Sequence, residues 1–191
     1  MYLNKVMAGL TLSLLFCSGV VVAAVSLSDF VYEDEVTFED GMKALNSGDV
    51  ETTISVWTSL AKQDEWPGRT EVQHQLGLHY YLGVKSFPQN YKKAFKWFSR
   101  AARQGDSDSQ IYLGLMYETA QGVLIDYRFA YMWMNLGGDN GYESSIHMDR
   151  LIKKMVPADI SRAKVMSKRC LLSKYTDCTD SFFDQFYSIF D

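Results

Sequence analysis

Leu76-Gly77 and Tyr80 recur as Leu113-Gly114 and Tyr117, 37 residues on. Asn90-Tyr91, Ala94, Trp97 and Gly105 recur as Asp126-Tyr127, Ala130, Trp133 and Gly141, 36 residues on. The one-residue difference falls in the turn between, where Phe87-Pro88-Gln89 faces Val123-Leu124-Ile125. Spacing held across two Trp, two Tyr and two Leu-Gly pairs restricts the chain to stacked supersecondary units. Each unit buries its outer face only by leaning on its neighbour. Such stacks serve as surfaces for partners, and no catalytic role is needed to explain the recurring residues.

The spacing within each unit is helical. Ile54, Trp57 and Leu60-Ala61 share one apolar face, as do Tyr91, Ala94, Trp97, Phe98 and Ala101-Ala102. Breakers separate the runs: Ser47-Gly48-Asp49, Trp66-Pro67-Gly68, Pro88 and Gly105. The reading is a helix pair over 38–66, a clear unit over 71–105, a second over 107–141, and a partial unit with a closing helix over 142–178. Gly77 and Gly114 lie mid-helix at a cost of about 1 kcal/mol each against Ala. That cost makes sense if a large side chain from the second helix packs over them, and Trp97 and Trp133 are the expected partners. Gly137-Gly138, in place of Ala101-Ala102, should loosen the end of the second copy's last helix. The aromatic segment 179–191 either folds back on an apolar edge or docks elsewhere.

The first 24 residues read as an export signal. Lys5 is followed by an apolar stretch from Val6 to Val25 with no charge before Asp29, and Val22-Ala23-Ala24 supplies a cleavage-like end. The rival is an uncleaved anchor, since the stretch is long enough to span a bilayer. Localisation is then periplasmic or secreted, or membrane-anchored through this segment alone. Residues 25–37, with Glu33-Asp34-Glu35, form an acidic lead-in. Formal net charge is −4, and no dense basic cluster points to nucleic acid.

Beyond the leader two cysteines remain, Cys170 and Cys178. In an exported chain an even pair at short spacing reads as a disulfide, here a clasp on the last helix. Catalytic chemistry finds no footing. His74, His79 and His147 are the only histidines. The first two stand about 140° apart on a helix, unsuited to a shared zinc. No metal or cofactor site is expected, and Asp106-Ser107-Asp108 reads as helix capping.

The pattern L-G-x-x-Y, [D/N]-Y-x-x-A-x-x-W and A-A-x-x-G resembles the Sel1-like repeat, a relative of the tetratricopeptide repeat. The resemblance covers Val72 to Gly141, with Phe38 to Gln63 as a looser tetratricopeptide-like unit. Ser161 to Cys178 also resembles the close of many bacterial members. Departures are Ala120 where the family prefers Gly, an added residue near Val84-Lys85-Ser86, and Gly137-Gly138. The resemblance implies an all-α, right-handed α/α solenoid that binds a protein or peptide. Bacterial members are often exported, with links to envelope assembly, peptidoglycan enzymes and host contact.

Carried over from the tetratricopeptide family by aligning the Leu-Gly pairs, the groove positions are His74, Leu78 and Tyr81, then Ile111, Leu115 and Glu118. Each set lies at i, i+4, i+7, one stripe per helix. Leu78, Ile111 and Leu115 serve equally as inter-repeat core, and periodicity alone does not separate the two uses. A second class of function is an enzyme acting on cell-wall material or β-lactams, as some cysteine-rich Sel1-like proteins are described. Those carry a disulfide in each repeat, and this chain has one pair at its end. Self-association through the aromatic tail is a third reading, and the oligomeric state is open.

Overall fold

The computed structural model describes residues 36–84, 86–138 and 142–179. The export segment, the acidic lead-in up to residue 35 and the aromatic tail from residue 180 lie outside them. The described residues form helices only. They run α1 (Phe38–Ser47), α2 (Val50–Leu60), α3 (Arg69–Leu82), α4 (Tyr91–Ala102), α5 (Ser107–Thr119), α6 (Tyr127–Gly137), α7 (Tyr142–Ile152) and α8 (Pro157–Leu172). The pairs α1–α2, α3–α4 and α5–α6 stack in chain order, α2 on α3 and α4 on α5. This is an α/α solenoid.

Side-chain caps explain where the helices start. The Asn90 side chain accepts from the Lys93 N–H, and that of Asp126 from the Arg128 and Phe129 N–H groups. The same two residues donate their own N–H to the carbonyls of Tyr80 and Tyr117, at 2.8 and 3.2 Å. The recurring Asp/Asn is thus a cap tied back to the first helix of its pair. Asp106 caps α5 through the Ser109 N–H at 2.7 Å, and Gly105 (φ 89°) turns the chain into it.

The glycines identify which side chains cross each pair. A Cβ on Gly77 would stand 2.6 Å from the Phe98 ring, and one on Gly114 would stand 2.4 Å from Met134 Cγ. Phe98 and Met134, not Trp97 and Trp133, fill these close approaches. One residue on a helix is a 100° rotation. The two Trp rings are therefore buried elsewhere in the core, Trp97 beneath the Arg100 guanidinium at 4.7 Å. In the first pair Trp57 plays the part of Phe98: a Cβ on Gly41 would stand 2.1 Å from its indole. Trp57, Phe98 and Met134 are each the eighth residue of their helix, so α1–α2 is a true unit of the stack despite lacking the Leu-Gly signature.

Gly137 also departs from expectation. It continues α6 and is buried, because a Cβ there would lie 2.6 Å from the Ser107 carbonyl oxygen. Glycine here permits close approach to the start of α5, rather than loosening a helix end. The fourth unit, α7 with α8, is irregular. α7 and α8 each pack mainly on α6, and Leu151 and Ala163 join Ala130, Tyr131 and Met134 in a second small core. A Cys170–Cys178 disulfide ties the turn after α8 back to that helix.

Candidate functional site

The stripe on α3 and α5 is the candidate surface, and its polar members turn out to join successive units. His74 Nδ1 lies 2.9 Å from Ser109 Oγ and 3.3 Å from Asp106 Oδ1, with the ring beside Phe98 and Tyr112. Burial alone would lower the imidazole. The Asp106 hydrogen bond and charge, with Glu71 and Asp108 behind, outweigh it and raise His74 above its ordinary value. Tyr81 Oη donates to Gln121 Oε1 at 2.7 Å across the same junction and packs edge-on to Tyr91, Phe98 and Tyr112. Burial, then Tyr91 and Tyr112, push its phenol up.

Glu118 is the most enclosed of the six, its side chain 1% exposed. Arg150 donates to both carboxylate oxygens, at 3.0 and 2.8 Å, and Lys154 Nζ donates at 2.8 Å. Burial pushes the carboxyl up, but these two cations more than offset it and hold Glu118 below the usual carboxylate range. Its work in this structure is to latch α7 onto α5. Leu115 packs against the second small core, and Ile111 lies beside Gly137. Leu78 is half-buried against the main core. The structure therefore brings His74 and Tyr81 together across the α3–α5 junction. Glu118 sits at the next junction.

A pair of residues that the sequence reading passed over does the same work more regularly. Gln73 and Gln110 are buried, and each donates its side-chain amide to the end of the preceding unit. Gln73 reaches the Ala61 carbonyl at 2.8 Å and Gln110 the Ala102 carbonyl at 3.0 Å. They share the 37-residue spacing of the Leu-Gly pairs, which is the signal that marks them. Each adds a hydrogen bond at a helix-end carbonyl, the Ala102 carbonyl also accepting from the Gly105 N–H at 3.0 Å.

What stays open lies at the edge of the stripe. Leu82 at the end of α3, Val84 just after it, and Leu124 and Ile125 after α5 are 48%, 42%, 69% and 52% exposed. The Tyr81–Gln121 hydrogen bond joins the two loops, and Gly122 packs on the Tyr91 carbonyl, where a Cβ would stand 2.4 Å away. Four large apolar side chains thus share one edge of the stack. Among the described residues no three His, Cys, Asp or Glu side chains converge as metal ligands. No helix among them is long and apolar enough to cross a membrane.

Stacked helix pairs, glycine-mediated close approach within each pair and amide ties between units define an α-solenoid repeat protein. Residues 70–106 and 107–142 each match the Sel1 repeat, so the chain carries two Sel1 repeats. Among solved structures it is similar to a protective antigen of uropathogenic Escherichia coli strains that displays an SLR fold. The TM-score is 0.58 at 20% identity, over 77% of this chain and 33% of that one. The chain therefore spans about a third of that protein's length, and the likeness is one of fold. Sel1-like repeats are in general scaffolds for protein–protein interaction and typically non-catalytic.

Proposed function

We propose that this chain is an exported adaptor that holds a protein or peptide partner in the bacterial envelope or outside the cell. The single observation that carries the reading is the open apolar edge formed by Leu82, Val84, Leu124 and Ile125 beside the α3–α5 stripe. Large apolar side chains gathered on one edge of a folded chain mark a contact surface. We assign Leu78, Tyr81, Ile111 and Leu115, the apolar and aromatic members of the stripe, to the same contact surface. His74 and Glu118 set the spacing of the helices that carry it. Export rests on the apolar leader with its Val22-Ala23-Ala24 end and on the disulfide, which suits an oxidising compartment.

The test is affinity capture from the producing cell's envelope fraction with the parent chain and a Leu82→Asp/Leu124→Asp variant. Leu82 is 48% and Leu124 69% exposed, so folding should survive, and circular dichroism checks it. A partner held by the parent and lost by the variant supports the reading. Equal capture by both, or none by either, removes the edge from consideration. The mass of the chain in that fraction tests export: a chain beginning at Val25 is expected, and an unprocessed chain in the cytosol counts against it.

A further inference from the structure

Helix α4 carries Lys92, Lys93, Lys96 and Arg100, with Arg103 at its C-cap, and no acid. All of these residues are exposed. Placed at 100° per residue, Lys92, Lys96, Arg100 and Arg103 fall within an arc of about 80°, a line of about 17 Å with a cation at each turn. Among the described residues none of the four is held in an ion pair. The chain as a whole is acidic, at −4. At its C-terminal end the line enters a concavity of about 390 Å³, where Lys62 and Arg69 join Arg100 and Arg103 in the lining. The one acid lining it, Asp64, is engaged by Arg69.

The repeat itself does not require these charges. Counted from Trp57, Phe98 and Met134, the positions that match Lys92, Lys96 and Arg100 are Glu51, Ser55 and Ser59 on α2, and Arg128, Met132 and Leu136 on α6. On α6, Met132 is buried and Leu136 lines the cleft with α8. On α4 the same positions are open and cationic. A line of cations selects a polyanion, and its form selects which. Segments that enter a bilayer surface do so with apolar side chains, and the exposed residues of α4 are cations alone. Single-stranded nucleic acid needs open aromatic faces for its bases. Trp97 is 7% exposed, with the Arg100 guanidinium over its ring at 4.7 Å. An extended peptide repeats its side chains on one face every 6.6–6.8 Å or so, close to the rise of about 6 Å between cations four residues apart on a helix.

We propose that the exposed face of α4 is a second docking surface, and that it takes an acidic peptide segment with Asp or Glu at alternate positions. The segment lies extended along Lys92, Lys96 and Arg100 and ends in the concavity beside Lys62 and Arg103. Charge complementarity carries this surface, not the apolar edge, so either can fail without the other.

The probe is a fluorescein-labelled, end-blocked octapeptide of alternating Glu and Ser. It is titrated with the full chain at low salt, about 50 mM, and read by fluorescence anisotropy. Binding is expected, and Lys96→Glu/Arg103→Glu should weaken it about tenfold or more. Both positions are exposed, and unchanged melting checks the fold. The matched reversal Lys153→Glu/Lys164→Glu, exposed and off α4, should change it by less than about twofold. An isomer with its glutamates contiguous should bind about threefold or more weakly. No binding, or an equal loss in both reversals, would overturn the surface. Equal binding of the two isomers would overturn the alternating register. Tighter binding of octathymidylate, or of vesicles of phosphatidylcholine and phosphatidylglycerol at about two to one, would give the face to nucleic acid or membrane and overturn the peptide.

Discussion

Glu118→Ala isolates the latch between α5 and α7. Removing one partner of a buried ion pair costs about 3–5 kcal/mol where the other charge stays buried. Here the cations left behind are Arg150 and Lys154, whose side chains are 48% and 42% exposed. They can rehydrate, so the expected loss falls to about 1–3 kcal/mol. For a chain of this size that lowers the melting temperature by roughly 3–10 °C. Hydrogen exchange should place the loss at residues 146–152, with α3 and α4 unchanged. Arg150→Ala should cost at least as much, because it strips two of three donors from an enclosed carboxylate. A double-mutant cycle on Glu118 and Arg150 should return a coupling of about 1–2 kcal/mol. The pH dependence has a definite sign. A folded-state carboxyl held below its ordinary value contributes stability above about pH 4.5, and that contribution is lost as pH falls through the folded value. A melting change under about 1 °C with no coupling would refute the latch and return Glu118 to the partner surface.

Ala120 ends α5 at φ 56°, where Gly83 (φ 67°) ends α3. Ala120→Gly should therefore stabilise the chain by about 0.5–1 kcal/mol, read from denaturant midpoints. Gly114→Ala should destabilise it by about 1–3 kcal/mol, since the new Cβ meets the Ala130 carbonyl oxygen at 2.9 Å as well as Met134. His74 should titrate above 6.5 by NMR. Its raised folded value means that its stabilising share is complete below 6.5 and lost as pH rises through that value. Reducing the Cys170–Cys178 bond should cost about 2–3 kcal/mol, measured by melting with and without reductant.

The repeating units were legible because Leu-Gly, Tyr and Asp/Asn sit where helices must touch, bend or begin, and such positions tolerate few residue types. The pairing of Gly77 was legible only to within one residue. Trp97 and Phe98 are both large and apolar, and only the backbone's phase decides which ring turns inward. Gly41–Trp57 was hidden because a short turn joins α1 to α2, so the sequence distance differs from that in the later pairs. Glu118 shows the limit of a stripe argument. Its place at i+7 was right for a helix face, but Arg150 and Lys154 enclose it from 32 and 36 residues away, and no local pattern announces them. The Gln73 and Gln110 ties were readable from spacing, yet polar residues are not what a search for core picks out.

The two kinds of joint between units give the stack a direction of failure. Gln73 and Gln110 hold their junctions through neutral amides, which neither acid nor salt weakens much. The latch on α7 is ionic and half open to solvent. Acidification or high salt should accordingly unzip the array from α7 first, while the glutamine-tied units stay stacked. A repeat protein that gives way first at one ionic joint keeps its exposed apolar turns in place after α7 has begun to let go.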